Sequence, residues 1–159
     1  MLLASGVAAH GQSPQVSDQQ TKSLNLSAYA ELLRSDIRAQ KVAILTEVMG
    51  FTEAEDKAFW PIYREFDAEM AKLGDERVAL IEEYARNYSK MTDAMATTLG
   101  AKAIDLEARR RAVLSKYYER VQKAMSPITA LRFLQVEHQL QLIVDLQVSA
   151  ALPIAPTTK

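Results

Sequence analysis

Residues 51–84 read FTEAEDKAFWPIYREFDAEMAKLGDERVALIEEY, and the spacing inside this stretch decides the fold. Its apolar positions are Phe59, Tyr63, Phe66, Met70, Leu73, Leu80 and Tyr84. Steps of four and three alternate, which is the signature of a heptad stripe along a long helix. The stripe lacks one member: Arg77 stands where an apolar residue is due. The start is marked by Thr52-Glu53-Ala54-Glu55, a capping box in which hydroxyl and carboxylate satisfy each other's orphan amides. The phase survives Gly74, so one helix is expected from about Glu53 to Lys90, with a kink near Lys57 to Pro61 where the proline interrupts it.

Working outward, a second long helix is expected from Asp93 to Met125, capped by Thr92 or Asp93. Leu99, Ala103, Leu106, Val113, Tyr117, Val121 and Ala124 form its stripe, with Arg110 at one heptad position. A helix before the pair runs from Ala28 to Met49, with Ser27 as its cap and Gly50 suited to the left-handed position after its end. A helix after the pair starts at Ser126-Pro127 and ends before Pro153. Its apolar residues fall on two faces, one with Phe133 and Val136 and one with Leu131 and Leu134, so contact on two sides is expected.

Length sets the shape. A helix over 53–90 is about 57 Å long, whereas a compact globule of this chain is about 35 Å across. The expected fold is therefore all-α: an elongated antiparallel hairpin of Glu53–Lys90 and Asp93–Met125 with two flanking helices, four in total. Charge favours the pairing. Residues 51–91 hold six basic and ten acidic side chains, and residues 92–125 hold seven basic and four acidic ones. Opposite flanks steer adjacency and register.

Composition bounds the function. The 159 residues are 48% hydrophobic and 25% charged, with five Gly and five Pro, which suits one helical domain. The net charge of −1 argues against a nucleic-acid binder that works by bulk charge. There is no Cys and there are only two His, His10 and His138. That removes disulfides, thiolate chemistry and the paired Glu-x-x-His motifs of di-iron bundles. No phosphate-binding Gly-rich loop or nucleophile elbow occurs, and no catalytic, cofactor or metal residue is expected.

Residues 1–9 look like the back half of a secretory signal, an apolar run with Val7 and Ala9 at the small-residue positions. Residues 10–26, rich in Gln and Ser, are expected to be a flexible leader, 27–152 a single helical domain and 153–159 a disordered tail. The expected location is the periplasm.

Three features are candidates for binding another protein. Trp60, Tyr63 and Phe66 flank the proline and are either an anchoring patch or core. Tyr84, Tyr88 and Tyr118 exceed what the seams need and are either a partner surface or rim packing. Arg109, Arg110 and Arg111 are either a site for acidic partners or a solvated face.

The chain also resembles a known family. Phe51-Thr52-Glu53-Ala54-Glu55 and Met125-Ser126-Pro127-Ile128-Thr129 sit where the Spy/CpxP family of exported helical proteins carries its repeated Leu-Thr-x-x-Gln motif, in a degenerate form. Residues 59–66 are similar to a group of exported bacterial proteins without assigned function. The resemblance implies an ATP-independent periplasmic chaperone or stress-signalling accessory, working as a cradle-shaped dimer. The expectation is a non-enzymatic homodimer that captures partly unfolded proteins on an amphipathic face. The alternatives are a regulatory or scaffold subunit for one envelope protein, or a metal-responsive sensor.

Overall fold

The structure, a computed structural model, describes residues 40–157. The expectations for residues 1–9 and 10–26, Ser27 and the start of the first helix lie outside the described residues. Within them the chain is all-α, with four helices and no strand. The first, α1, is seen over 40–49. Then come α2 (Glu53–Asn87), a 3-10 turn (Tyr88–Lys90), α3 (Asp93–Ala124) and α4 (Pro127–Ala151).

The local signals act as the sequence indicates. Gly50 adopts φ 57 and turns the chain from α1 into α2. At the start of α2 the Glu55 amide donates to the Thr52 hydroxyl, and Glu55 Oε2 accepts from the Thr52 amide at 3.0 Å. These donors hold the Glu55 carboxyl below its usual range. Thr92 caps α3 and Ser126 caps α4, with Pro127 in the first turn of α4. The last residues assigned to α2 by periodicity, Tyr88 to Lys90, tighten into the 3-10 turn that closes the hairpin.

Helix α2 runs unbroken through Pro61, which is exposed. An interior proline forfeits one backbone hydrogen bond and costs about 3 kcal/mol relative to alanine. Part of that returns because proline restricts the unfolded chain. Pro61→Ala is therefore expected to raise stability by about 1–2 kcal/mol, read as a higher urea midpoint at unchanged slope. A lower midpoint would show that Pro61 holds a bend on which the packing depends.

The hairpin register is written in ion pairs. Glu65 meets Arg120, Glu69 meets Lys116, Glu76 meets Arg109 and Glu83 meets Lys102. Each step along α2 is matched by an equal step back along α3, so no slip occurs over this span. Their arginine and lysine partners hold the Glu65, Glu69 and Glu76 carboxyls below the ordinary range. Exposed pairs contribute little stability each, but like charges in any shifted register would oppose it.

Helix α3 lies backbone-close to both α2 and α4. Helix α4 meets α2 through long side chains instead. Phe133 reaches Phe59 and Phe66 with ring centroids at 6.0 and 5.2 Å. Leu45, Met49, Phe59, Tyr63, Phe66, Tyr117, Val121, Ala130, Phe133 and Val136 make one core, which sits at the end of the rod where α1 joins.

Candidate functional site

Inside that core lies a charge. Glu137 of α4 is 0% exposed. Tyr63 donates its hydroxyl to Glu137 Oε1 at 3.2 Å, and Lys41 Nζ lies 3.2 Å from Oε2, outside hydrogen-bond alignment. The same ammonium is 3.9 Å from Asp67 and 5.7 Å from the ring centroids of Tyr63 and Phe66. Burial raises the Glu137 pKa, while the nearby Lys41 charge and the Tyr63 hydroxyl pull it back. Burial, then the charge of Glu137, pushes the Tyr63 phenol up. The group joins α1, α2 and α4. Sequence reading passed over Glu137, although its spacing from Phe133 and Val136 places it on the inward face.

A second polar node joins α2, α3 and α4. Arg77, the missing member of the α2 stripe, and Arg110 of α3 both reach Asp145 of α4, at 2.5 and 3.4 Å. Arg110 also donates to Glu107 at 2.8 Å. The triple-arginine run is thus divided. Arg109 is exposed and engaged by Glu76 and Asp105, Arg110 is buried, and Arg111 is exposed.

The aromatic candidates separate in the same way. Tyr63 and Phe66 are core residues, with no surface free for a partner. Trp60 is half-buried; its indole N–H donates to Asp56 at 2.7 Å and its ring packs edge-on against Phe59 and Tyr63. Tyr118 is half-buried against the core. Tyr84 and Tyr88 stand apart from all of these, near the tip of the hairpin.

Among the described residues, two open surfaces bear on binding. At the hairpin tip a groove of about 410 Å³ runs between α2 and α3, with Leu80, Ile81, Leu99, Ala103 and Leu106 among its lining residues. One wall is the chain's own segment after α4, at Leu152, Pro153 and Ala155. That segment, read from sequence as a disordered tail, is tied down where it begins. Tyr84 donates to the Pro153 carbonyl at 2.7 Å and Tyr88 to the Ile154 carbonyl at 2.9 Å.

The other open surface is the outward side of α4. Only the face with Phe133 and Val136 is buried; Leu131, Leu142, Ile143 and Leu146 are 43%, 53%, 54% and 72% exposed. Each of the three charged residues of this helix has a partner elsewhere in the chain. Arg132 donates to the Met49 carbonyl but stays exposed, Glu137 is buried, and Asp145 holds the two arginines. The outward side is therefore mainly apolar or neutral from Ile128 to Leu146, with Gln135, His138 and Gln139 at its middle and Arg132 as its exposed charge.

Among the described residues, no group of three His, Asp or Glu side chains is placed to hold a metal ion, and no helix is long and apolar enough to cross a membrane. Comparison with protein-family models, curated proteins and solved structures yields no match.

Proposed function

We propose that the chain is a protein-binding module of the ATP-independent chaperone type, and that the outward face of α4 takes apolar segments of partly unfolded proteins. One observation carries the reading: a helix rich in apolar residues buries only one face and leaves Leu131, Leu142, Ile143 and Leu146 exposed, with Arg132 as the one exposed charge. A face with so little charge has little charge pattern to restrict its partners, which suits clients that differ in sequence. The exposed acidic and basic ladders on α2 and α3 supply charges for fast encounter.

The same face fits a second copy of the chain. A two-fold pairing brings a surface against itself, and a face with little charge meets little repulsion there. A homodimer through α4 is then the resting form, and clients compete with the second copy. An envelope location belongs to the same reading and rests on the signal-like start alone.

The test is the double substitution Leu142→Glu with Leu146→Glu. Both sites are exposed, so the helix content by circular dichroism is expected to stay unchanged. The parent is expected to be dimeric by light scattering and to suppress aggregation of a chemically denatured model protein near equimolar amounts. The variant is expected to be monomeric and at least about tenfold weaker, because desolvating a carboxylate at an apolar contact costs more than 1.4 kcal/mol. Undiminished suppression by the variant overturns the assignment to α4. Recovery of one stoichiometric partner from an envelope extract, in place of many, favours a scaffold subunit.

A further inference from the structure

The segment that leaves α4 contains Pro153-Ile154-Ala155-Pro156, a Pro-x-x-Pro sequence. Leu152 departs from the helix in an extended conformation, φ −86 and ψ 124, and proline then holds φ near −65°. In a polyproline II helix, with three residues per turn, two prolines three apart fall on one edge. Such a backbone makes no internal hydrogen bonds, so its carbonyls need donors from outside. Here two consecutive carbonyls find them in Tyr84 and Tyr88. These tyrosines are one helical turn apart on the same side of the hairpin tip, and their rings pack edge to face at 5.7 Å.

The contact reads main chain rather than side chain. The Ile154 side chain points to water and is 90% exposed, while Leu152, Pro153 and Ala155 line the groove. The hydroxyls take carbonyls, and a proline brings no N–H that would need an acceptor. Aromatic grooves with such donors are a recurring way of holding proline-rich segments, because the ligand is already ordered. The groove beside the segment is apolar and, at about 410 Å³, lies in the range of sites that take a ligand. The segment forms only one wall of it, so room for more chain remains.

We propose that the Tyr84–Tyr88 ledge and the adjoining groove form a second binding site, distinct from the α4 face, for extended Pro-x-x-Pro segments of other proteins. The chain's own Leu152–Pro156 is the resident occupant, which an incoming segment displaces. The site does not depend on the chaperone reading, because it uses other residues and a different ligand chemistry.

The test uses a fluorescein-labelled peptide with the sequence of residues 152–157, followed by fluorescence anisotropy. The chain ending at Ala151, checked by circular dichroism, is expected to bind it saturably and at least about tenfold tighter than the full chain, whose own segment competes. Tyr84→Phe with Tyr88→Phe removes the two donors only and is expected to weaken binding to the shortened chain about tenfold. A peptide with both prolines changed to alanine is expected to bind more weakly. Equal binding to the full and shortened chains, or no loss on removing the hydroxyls, overturns the proposal. So does a dimer of the full chain that is lost on shortening, which would assign the occupant to the segment of a second copy. If the shortened chain fails to fold, the full chain carries the test: excess peptide is expected to speed proteolytic removal of the segment after Ala151, and no acceleration overturns the proposal.

Discussion

Lys41→Met is expected to destabilise the protein by about 3–5 kcal/mol at pH 7, the cost of stranding a buried carboxylate without its counter-ion. Glu137 is 0% exposed and Lys41 supplies the nearest positive charge, at 3.2 Å. The loss should depend on pH in an unusual direction. Burial raises the folded-state pKa of Glu137 above its unfolded value, and removing Lys41 raises it further. A raised carboxyl costs nothing below its unfolded pKa; the burden grows as pH rises from there and is complete above the folded pKa. The difference between parent and variant is thus largest at neutral pH and shrinks as pH falls into the carboxyl range. The exposed carboxylates of the ladder act in the opposite sense. Their pKa values are lowered, so their contribution is present above the unfolded pKa and is lost in acid, equally in parent and variant. Urea denaturation of both proteins across pH 4.5–8 separates the two effects. Lys41→Met combined with Glu137→Leu is expected to regain most of the loss, since an apolar replacement of a buried pair is often neutral. A deficit that is flat with pH would mean that Lys41 acts through its packed stem and not its charge.

Phe66→Ala is expected to cost about 3–5 kcal/mol, the range for truncating a buried aromatic ring. Phe66 is 0% exposed and touches Tyr63, Tyr117 and Phe133, so its loss opens a cavity shared by three helices. Trp60→Ala is the informative companion. Trp60 keeps an exposed edge and one hydrogen bond to a residue on its own helix, so a smaller loss is expected. Thermal midpoints of the two variants measure the contrast. Similar losses would show that Trp60 belongs to the core as fully as Phe66 does.

The hairpin was legible in sequence because each of its signals is local. The Thr52–Glu55 box, the Thr92 and Ser126 caps, Gly50 and the alternating steps from Phe59 to Tyr84 each involve residues within one or two turns. The opposite charge of the two strands of the hairpin was legible as well, and it became a ladder with one fixed register. What stayed hidden needs a third helix. Arg77 registers in sequence only as a gap, because its partner Asp145 is 68 residues away. Glu137 reads as the neighbour of His138 until α1 brings Lys41 to it. The aromatic stretch around Pro61 read as core in preference to an exposed patch; Tyr63 and Phe66 are buried, with Phe133 arriving from α4 against Phe66. Likewise the residues after Pro153 carry no periodicity, and only their distance from Tyr84 shows that they are held.

The largest fully buried side chains, Tyr117, Phe59, Phe66 and Phe133 among them, gather where α1 closes the bundle. At the hairpin tip α3 presents Ala96, Gly100 and Ala103 among its groove residues, and the ring contact there is the Tyr84–Tyr88 pair. Local unfolding costs least where little apolar contact is broken. The rod is therefore expected to loosen from its tip inward, with the aromatic end as the anchor. The two carbonyls on Tyr84 and Tyr88 fasten the end of α4 across this looser tip. Releasing that fastening is expected to free the end of α4, the helix that also carries Leu142 and Leu146.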